Sequence, residues 1–484
     1  VFAAALVAVL LALGSCAENP ATGERYFSLM SSAEEQQVGA EEHPKLVQSF
    51  GGEYKDPELQ HYIDSIGALL AKTTETPNQK FTFTIIDSPI INAFALPGGY
   101  VHVTRGLIAL ANNEAELASV LGHEMGHVTA HHSAQLYTRS VLSNILAAGI
   151  GLATGSNAVG SVLSQGADVY LKSYSRENEY QADSLGVRYI KRAGYDPEAM
   201  AEFLNSLEAS SRLEAELDGL PPDSVDKFNI MATHPRTPDR VQRAIEEAGG
   251  AHGGELDRDV YLKKINGIIF GDSPDQGYVR GDRFAHPKLG FEFQVPTGFK
   301  LANQPEAVIA RNPNGALIAF DEMPKANGLS PRAALAQIGI PLSNVEDIDI
   351  NGLSAATGQG RGSVNGTTVD VRVVVIRFSP EHMFRFLFIT PPQLTAGLAD
   401  GFKRTTYSFR RLSPSEAAAL KPYRVQVVRV KSGDTVASLA NRVAFPDRKE
   451  ERFRVLNGLQ PNDTLKPGTL VKIVVDHDVP KDIQ

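Results

Sequence analysis

One short run constrains this chain more than any other: Gly122-His123-Glu124-Met125-Gly126-His127. Upstream, Asn113 followed three residues later by Glu116 has the form of a helix start, a capping side chain and then an acid. Leu117, Val120, Leu121, Met125 and Val128 recur at helical spacing. His123 and His127 therefore share one helix face, a turn apart. Two imidazoles so placed can hold one zinc ion, and Glu124, beside the first, can reach a water there. Gly122 and Gly126 each cost the helix about 1 kcal/mol relative to alanine. Two glycines in such a helix predict a neighbour packed close against its backbone.

A second segment downstream, Ser175-Arg176-Glu177-Asn178-Glu179-Tyr180-Gln181-Ala182-Asp183, reads as another helix. A catalytic zinc site takes three protein ligands and keeps one position open, and Glu179 can supply the third. Asp183, one turn on, can accept the free ring N–H of a ligand histidine, with His123 as the expected partner. Alone, these acids would read as a solvated helix face; beside the histidine pair they read as part of a site. The single cysteine, Cys16, excludes an intrachain disulfide and a cysteine-type zinc centre. His131 continues the stripe a turn too far for the same ion, and His132 is expected to point elsewhere. His43, His61, His252 and His286 are expected to be surface or structural residues.

Two further motifs flank this pair: residues 92–99, Asn-Ala-Phe-Ala-Leu-Pro-Gly-Gly, and Thr233-His234-Pro235 with Arg240. In kind and in order the four motifs resemble the HtpX-like and BepA-like zinc metallopeptidases, a family that includes the CAAX prenyl protease. The resemblance covers roughly residues 30–250. It implies a mainly α, zincin-type metallopeptidase domain with a small β-sheet. It implies one zinc ion per chain on His123, His127 and Glu179, with Glu124 as general base and Asp183 behind a ligand. It also implies that residues 92–104 form an edge strand over the cleft, placing Phe94, Gly98 and Gly99 along an extended peptide. Phe94, Leu96, Val101 and Val103 are expected to pack inward. His234 and Arg240 match positions near the metal, where His234 would either cap the zinc at rest or stabilise the oxyanion.

The rest of the chain divides by composition. Residues 1–13 read VFAAALVAVLLAL, too short for a bilayer-spanning helix of about 20 residues and of the size of a signal-peptide core. With Leu13-Gly14-Ser15-Cys16 the run resembles a bacterial lipoprotein box. Residues 1–16 are thus expected to be a signal peptide and Cys16 the lipidated residue, an anchor that does not span the membrane. Ala17 favours the outer over the inner membrane of a Gram-negative periplasm. The expected order is then a metallopeptidase domain (17–250), a polar linker (251–280) with one short amphipathic stretch from Tyr261 to Phe270, an α+β domain (281–412) loosely like PsbP or Mog-type domains and assigned no chemistry, and a small βααβ unit (423–475). Nearly uncharged residues 140–167 read as a buried helix pair, a mobile lid or a membrane-touching hairpin.

In the last unit Lys431-Ser432-Gly433-Asp434-Thr435, Asn457-Gly458 and Val471-Lys472-Ile473 resemble the LysM module. That resemblance implies binding of N-acetylglucosamine-containing glycans, hence peptidoglycan, although the insert at residues 445–450 departs from the usual short loop. Read as a separate module, this unit is expected to be dispensable for cleavage. A net charge of −9 gives no reason to expect nucleic acid. The leading function is an endopeptidase for misfolded or unassembled envelope proteins. The alternatives are a peptidoglycan peptide hydrolase or amidase, and a latent protease acting mainly as an assembly chaperone.

Overall fold

The computed structural model describes residues 15–139, 174–217, 219, 221, 234, 238–249, 253–323, 328–364 and 366–483. The apolar run 1–13 and the segment 140–167 lie outside the described residues. The chain forms two compact units, Val1–Gly271 together with Tyr423–Gln484, and Asp272–Pro422. Among the described residues no helix is long and apolar enough to cross a membrane.

The first unit opens with a hairpin of β1 (Ser15–Glu18) and β2 (Arg25–Ser28), in which Cys16 pairs with Phe27. Helix α1 (Ser32–Ser49) starts on a capping box, with Ser31 and Glu34 each accepting the other's backbone N–H. Helix α2 (Pro57–Ala71) starts on Asp56, with proline in the first turn where its missing N–H costs nothing. Strands β3 (Thr82–Ile86), β4 (Ala93–Leu96) and β5 (Tyr100–Thr104) form a sheet in the order β3-β5-β4, β5 running parallel to β3 and antiparallel to β4.

Strand alternation separates the residues expected to pack inward together. Val101 and Val103 lie with Ala93 and Ala95 toward the main helical core, while Phe94 and Leu96 pack with Leu46 and Ile86 on the other face. Gly98 and Gly99 close the β4–β5 turn with φ of 81° and 95°. A Cβ on Gly98 would lie 2.7 Å from Gln36 Cα, and one on Gly99 2.3 Å from the Lys80 carbonyl oxygen. Turn and packing together account for both glycines.

Helix α3 (Arg105–Leu110) leads into α4 (Glu114–Thr129), where Asn113 Oδ1 accepts from Glu116 N–H at 2.8 Å. Helices α5 (Arg176–Ala193), α6 (Ala199–Leu217), α7 (Pro238–Ala248) and α8 (Arg258–Ile265) follow, then β6 (Ile269–Phe270). The amphipathic stretch expected within the linker region 251–280 thus falls on α8 and β6. Tyr261, Leu262 and Ile265 share one face of α8 and are fully buried in the core that holds α4.

The second unit is antiparallel. Its elements are β7 (Tyr278–Arg280), β8 (Arg283–His286), β9 (Phe291–Gln294), β10 (Lys300–Asn303), β11 (Ala307–Arg311), β12 (Leu317–Glu322), α9 (Pro331–Ala336), β13 (Leu342–Ile350), β14 (Leu353–Val364), β15 (Thr367–Arg377), β16 (Met383–Thr390), α10 (Pro392–Ser408), β17 (Arg410–Arg411) and α11 (Pro414–Ala419). They build a seven-stranded sheet ordered β10-β11-β12-β16-β15-β14-β13 and a four-stranded sheet ordered β17-β9-β8-β7. Phe291, Phe293, Phe320, Phe384, Phe386 and Phe409 fill its core.

The chain then returns to the first unit with β18 (Tyr423–Arg429), α12 (Val436–Ala440), α13 (Lys449–Leu456) and β19 (Leu470–Val475), a βααβ order. Strand β18 pairs with β19 on one side and β6 on the other. The module is not detached: Val425, Val427 and Leu470 are buried in the same core as α4. The insert at 445–450 takes part, since the Phe445 ring packs on Phe270 and Tyr423 at centroid distances of 5.8 and 5.2 Å.

Candidate metal centre

Helices α4 and α5 approach closely because glycines face each other. A Cβ on Gly122 would sit 3.3 Å from Gly186 Cα, one on Gly126 3.1 Å from the Ala182 carbonyl oxygen, and one on Gly186 2.9 Å from His123 N. This is the close neighbour that the glycine pair predicts. It sets His123 and His127 against Glu179 and Asp183, all four nearly fully buried.

The polar atoms converge on a small volume. One ligand atom each from His123, His127, Glu179 and His234 lies within 4.8 Å of the others. His127 Nε2 is 3.0 Å from His123 Nε2, which is 3.3 Å from His234 Nδ1. His234 Nδ1 is 2.9 Å from Glu179 Oε1, and Glu179 oxygens lie 3.6 and 3.7 Å from His127 and His123 Nε2. Glu124 is fully buried, with Oε1 3.5 Å from His234 Nε2.

An outer set of contacts orients these groups. His123 Nδ1 lies 2.9 Å from Asp183 Oδ1. Arg240 donates to both Asp183 oxygens at 2.7 and 2.6 Å and lies 2.8 Å from Glu179 Oε2. His127 Nδ1 is 2.9 Å from His132 Nδ1, and His132 Nε2 is 2.7 Å from Gln181 Oε1. The Tyr174 ring stacks on His127 at 4.0 Å.

His132 therefore does not point elsewhere, as its position along the stripe suggests. Helix α4 ends at Thr129, and His131 takes a positive φ of 53°, which turns the chain back. His131 itself pairs with Glu35 at 3.0 Å, away from the cluster. Neither the His132 contact nor the Tyr174 stack has a signal in sequence spacing, because both depend on how the chain turns after the helix.

Electrostatics separate the groups by role. Burial raises the Glu124 carboxyl above its usual range, outweighing the nearby histidines. Burial also works upward on Glu179 and Asp183, but His234 and Arg240 hold Glu179 down, and Arg240 with His123 holds Asp183 at about 2. Burial and the neighbouring histidines push His127 well below its ordinary value. For His234, burial works downward, yet the Glu179 and Glu124 carboxylates raise it on balance.

A His127 imidazole held neutral and an ionised Glu179 carboxylate suit a divalent metal ion. Both Glu124 oxygens are buried without a hydrogen-bond partner. A native protein rarely leaves a carboxylate so without a functional reason. The donor set and this orphaned carboxylate fit a metal held by His123, His127 and Glu179.

Residues 57–248 match peptidase family M48, and residues 428–474 match the LysM domain. The chain is 31% identical over 239 residues to the beta-barrel assembly-enhancing protease of Escherichia coli, covering 47% of each chain. It is 34% identical over 208 residues to the putative beta-barrel assembly-enhancing protease of Vibrio cholerae, covering 40% of each. With the mitochondrial metalloendopeptidase OMA1 of Schizosaccharomyces pombe it shares 26% over 234 residues, 47% of this chain and 65% of that one. The chain spans about half the length of the bacterial relatives it matches. Cyanobacterial PsbP, a solved structure, is 18% identical over 28% of this chain and 98% of its own at a TM-score of 0.22, too slight a likeness to carry an argument. The matched stretch holds both helices of the histidine–carboxylate cluster, and the second match falls on the βααβ unit: the chain carries a peptidase family M48 metallopeptidase domain at residues 57–248 and a LysM domain at residues 428–474.

Proposed function

We propose that the protein is a zinc-dependent endopeptidase of zincin type that cuts misfolded or unassembled proteins of the bacterial envelope. The observation that carries this reading is the buried convergence of His123, His127 and Glu179 beside an unpartnered Glu124. Zinc bound there would polarise a peptide carbonyl and lower the pKa of a water to about 7. Glu124, raised by burial, takes the proton of the attacking water and returns it to the leaving amine. Asp183, fixed by Arg240, keeps the His123 ring oriented, and His132 does the same for His127. Strand β4 lies at the edge of its sheet, and its free side can pair with an extended peptide along Phe94.

His234 Nδ1 lies among the ligand atoms, which favours the resting cap over the oxyanion role. On that reading His234 leaves the cluster before turnover. The envelope setting rests on the lipobox-like residues 13–16, with Cys16 as the lipid anchor in the outer membrane, and on the names of the bacterial relatives. The LysM domain would hold the enzyme to peptidoglycan. Its presence also favours the second reading, a peptidoglycan peptide hydrolase.

The test uses Glu124→Gln with zinc content, casein cleavage and digestion of purified sacculi as readouts. The variant should keep its zinc and lose casein cleavage by about 10²–10⁴-fold. Wild-type turnover by the variant sinks the mechanism. Digestion of sacculi without casein cleavage by the wild type moves the assignment to the second reading.

A further inference from the structure

A relay of polar contacts runs from the N-terminal hairpin to the metal centre. Glu24, in the turn between β1 and β2, accepts from Gln181 Nε2 at 3.2 Å. Gln181 Oε1 lies 2.7 Å from His132 Nε2, and His132 Nδ1 lies 2.9 Å from His127 Nδ1. The other ring nitrogen of His127, Nε2, is 3.0 Å from His123 Nε2, on the side where the ligand atoms converge. The relay thus joins an exposed carboxylate to a fully buried histidine.

The turn that carries Glu24 is tied to both helices of the site. Asn19 N–H donates to the Glu24 carbonyl at 2.8 Å and closes the turn. Asn19 Nδ2 donates to the carbonyl of Ala130, the C-cap of α4, at 3.3 Å. Ala21 is buried in the core that holds α4, and Arg188 of α5 donates to its carbonyl at 3.4 Å.

Each link has a direction. An ionised carboxylate only accepts hydrogen bonds, whereas a glutamine side chain donates at one end and accepts at the other. With Nε2 turned to Glu24, Gln181 offers its carbonyl oxygen to His132, so His132 carries its proton on Nε2. His132 is 1% exposed, and such burial favours the neutral ring. Its Nδ1 is then bare and accepts, and His127 Nδ1 donates. That leaves His127 Nε2 bare, the form in which an imidazole ligates a metal. Turned over, the Gln181 amide would donate to His132 Nε2 and the His132 proton would move to Nδ1. His127 would then carry its own proton on Nε2, on the side of the converging ligand atoms.

We infer that Glu24 and Gln181 are positioning residues of the metal centre: the hairpin carboxylate sets the direction of the relay, and with it which nitrogen of His127 is free. The inference rests on the reading of His127 as a metal ligand. It adds that the hairpin before the first helix belongs to the working parts of the site.

The test reverses the relay at its outer end. A lysine only donates, so Glu24→Lys should turn the Gln181 amide over. Gln181→Glu only accepts, so the double variant should recover the original direction. One readout is the ring protonation of His127, by nitrogen NMR on the zinc-free full chain with isotope-labelled histidine. The other is zinc affinity by chelator competition. In the wild type and the double variant His127 should carry its proton on Nδ1. In Glu24→Lys the proton should shift to Nε2 and zinc binding should weaken about tenfold, the lower end of what such outer contacts are worth, at an unchanged melting temperature. A proton that stays on Nδ1 in a folded Glu24→Lys protein overturns the relay, even with weaker zinc binding, since the added positive charge alone would cause that. A proton on Nε2 in the double variant overturns it too. A wild type that takes up no zinc sinks the metal reading instead, and the His127 proton in the same sample still decides the relay.

Discussion

Two buried polar clusters lie along helix α4, and they are built on opposite terms. At its start, Lys472 is fully buried and Nζ donates to the carbonyls of Ala109, Leu110 and Ala111 at 2.8, 2.9 and 2.8 Å. An ammonium has three donors, and here each meets a carbonyl at the negative end of α3. Asn457 accepts from Lys472 N–H at 2.7 Å and donates to its carbonyl at 2.9 Å. Burial pushes Lys472 down and Glu116 up to about 7, yet both keep partners. Further along the same helix, the histidine–carboxylate cluster faces inward on itself and leaves both Glu124 oxygens without a hydrogen bond. Equal burial thus serves two ends. A cluster whose groups are all answered holds the shape, and one whose groups converge unanswered is poised for chemistry.

The hardest way to break this contrast is to remove residues 423–484. If the first cluster is structural, the deletion uncovers the core around Val425, Val427 and Leu470. The truncated chain should then lose the cooperative melt of the first unit, followed by circular dichroism, and all casein cleavage with it. A truncated protein that melts cooperatively and cleaves would make the LysM domain an accessory. Next in size, Lys472→Ala takes the ammonium from three buried carbonyls, of which Leu110 keeps only the Asn112 amide at 3.3 Å, and should cost about 3 kcal/mol in urea unfolding. A loss below about 0.5 kcal/mol, the scale of an ordinary surface change, would show the ammonium to be incidental.

The third change tests the other cluster. Asp183→Asn frees the His123 ring and should weaken zinc binding about 10–100-fold in chelator competition, while the melt of the zinc-free protein shifts less than with Lys472→Ala. The reverse ranking would mean that the contrast has been drawn the wrong way round. The smallest effect is expected at a control outside both clusters. His286 Nδ1 accepts from Leu289 N–H at 3.2 Å, and burial holds the ring down at about 4 against 6.5 when unfolded. Its contribution is full above pH 6.5 and is lost as pH falls toward 4. The second unit should lose about 1 kcal/mol by pH 5.5, and His286→Gln should flatten that slope in pH-dependent thermal melts.

The helix of the histidine pair and its partner were legible because helical spacing forces side chains four apart onto one face. His123 with His127, and Glu179 with Asp183, follow from that alone. Gly122 and Gly126 announced a close neighbour, but not which element it is; that α5 supplies it through Gly186 and Ala182 is seen only in the fold. What spacing could not reach were contacts made after a turn or across the fold. His132 reaches His127 only because the chain reverses at His131. The pairing of Phe94 and Leu96 away from Val101 and Val103 depends on the order of three strands. The amphipathic stretch at Tyr261 is legible within residues 251–280, yet its burial in the core that holds α4 depends on contacts across the fold. Lys472 reads in sequence as a solvated lysine between valine and isoleucine; only the strand's placement against α3 makes it a buried clamp.

That clamp carries a consequence for how the protein comes into being. Lys472 and the Ala109 carbonyl it holds are 363 positions apart in the chain. At translation rates of about 5–20 residues per second, tens of seconds separate the synthesis of α3 from that of the lysine. Between the two, the ribosome must also make the whole second unit, whose flanking strands Ile269–Phe270 and Tyr423–Arg429 pair side by side. The buried clamp on the end of α3 closes only when this distant strand has been made. A chain that stops short of Lys472 therefore lacks the donor for those carbonyls, and the order of the chain makes this part of the first unit the last to be completed.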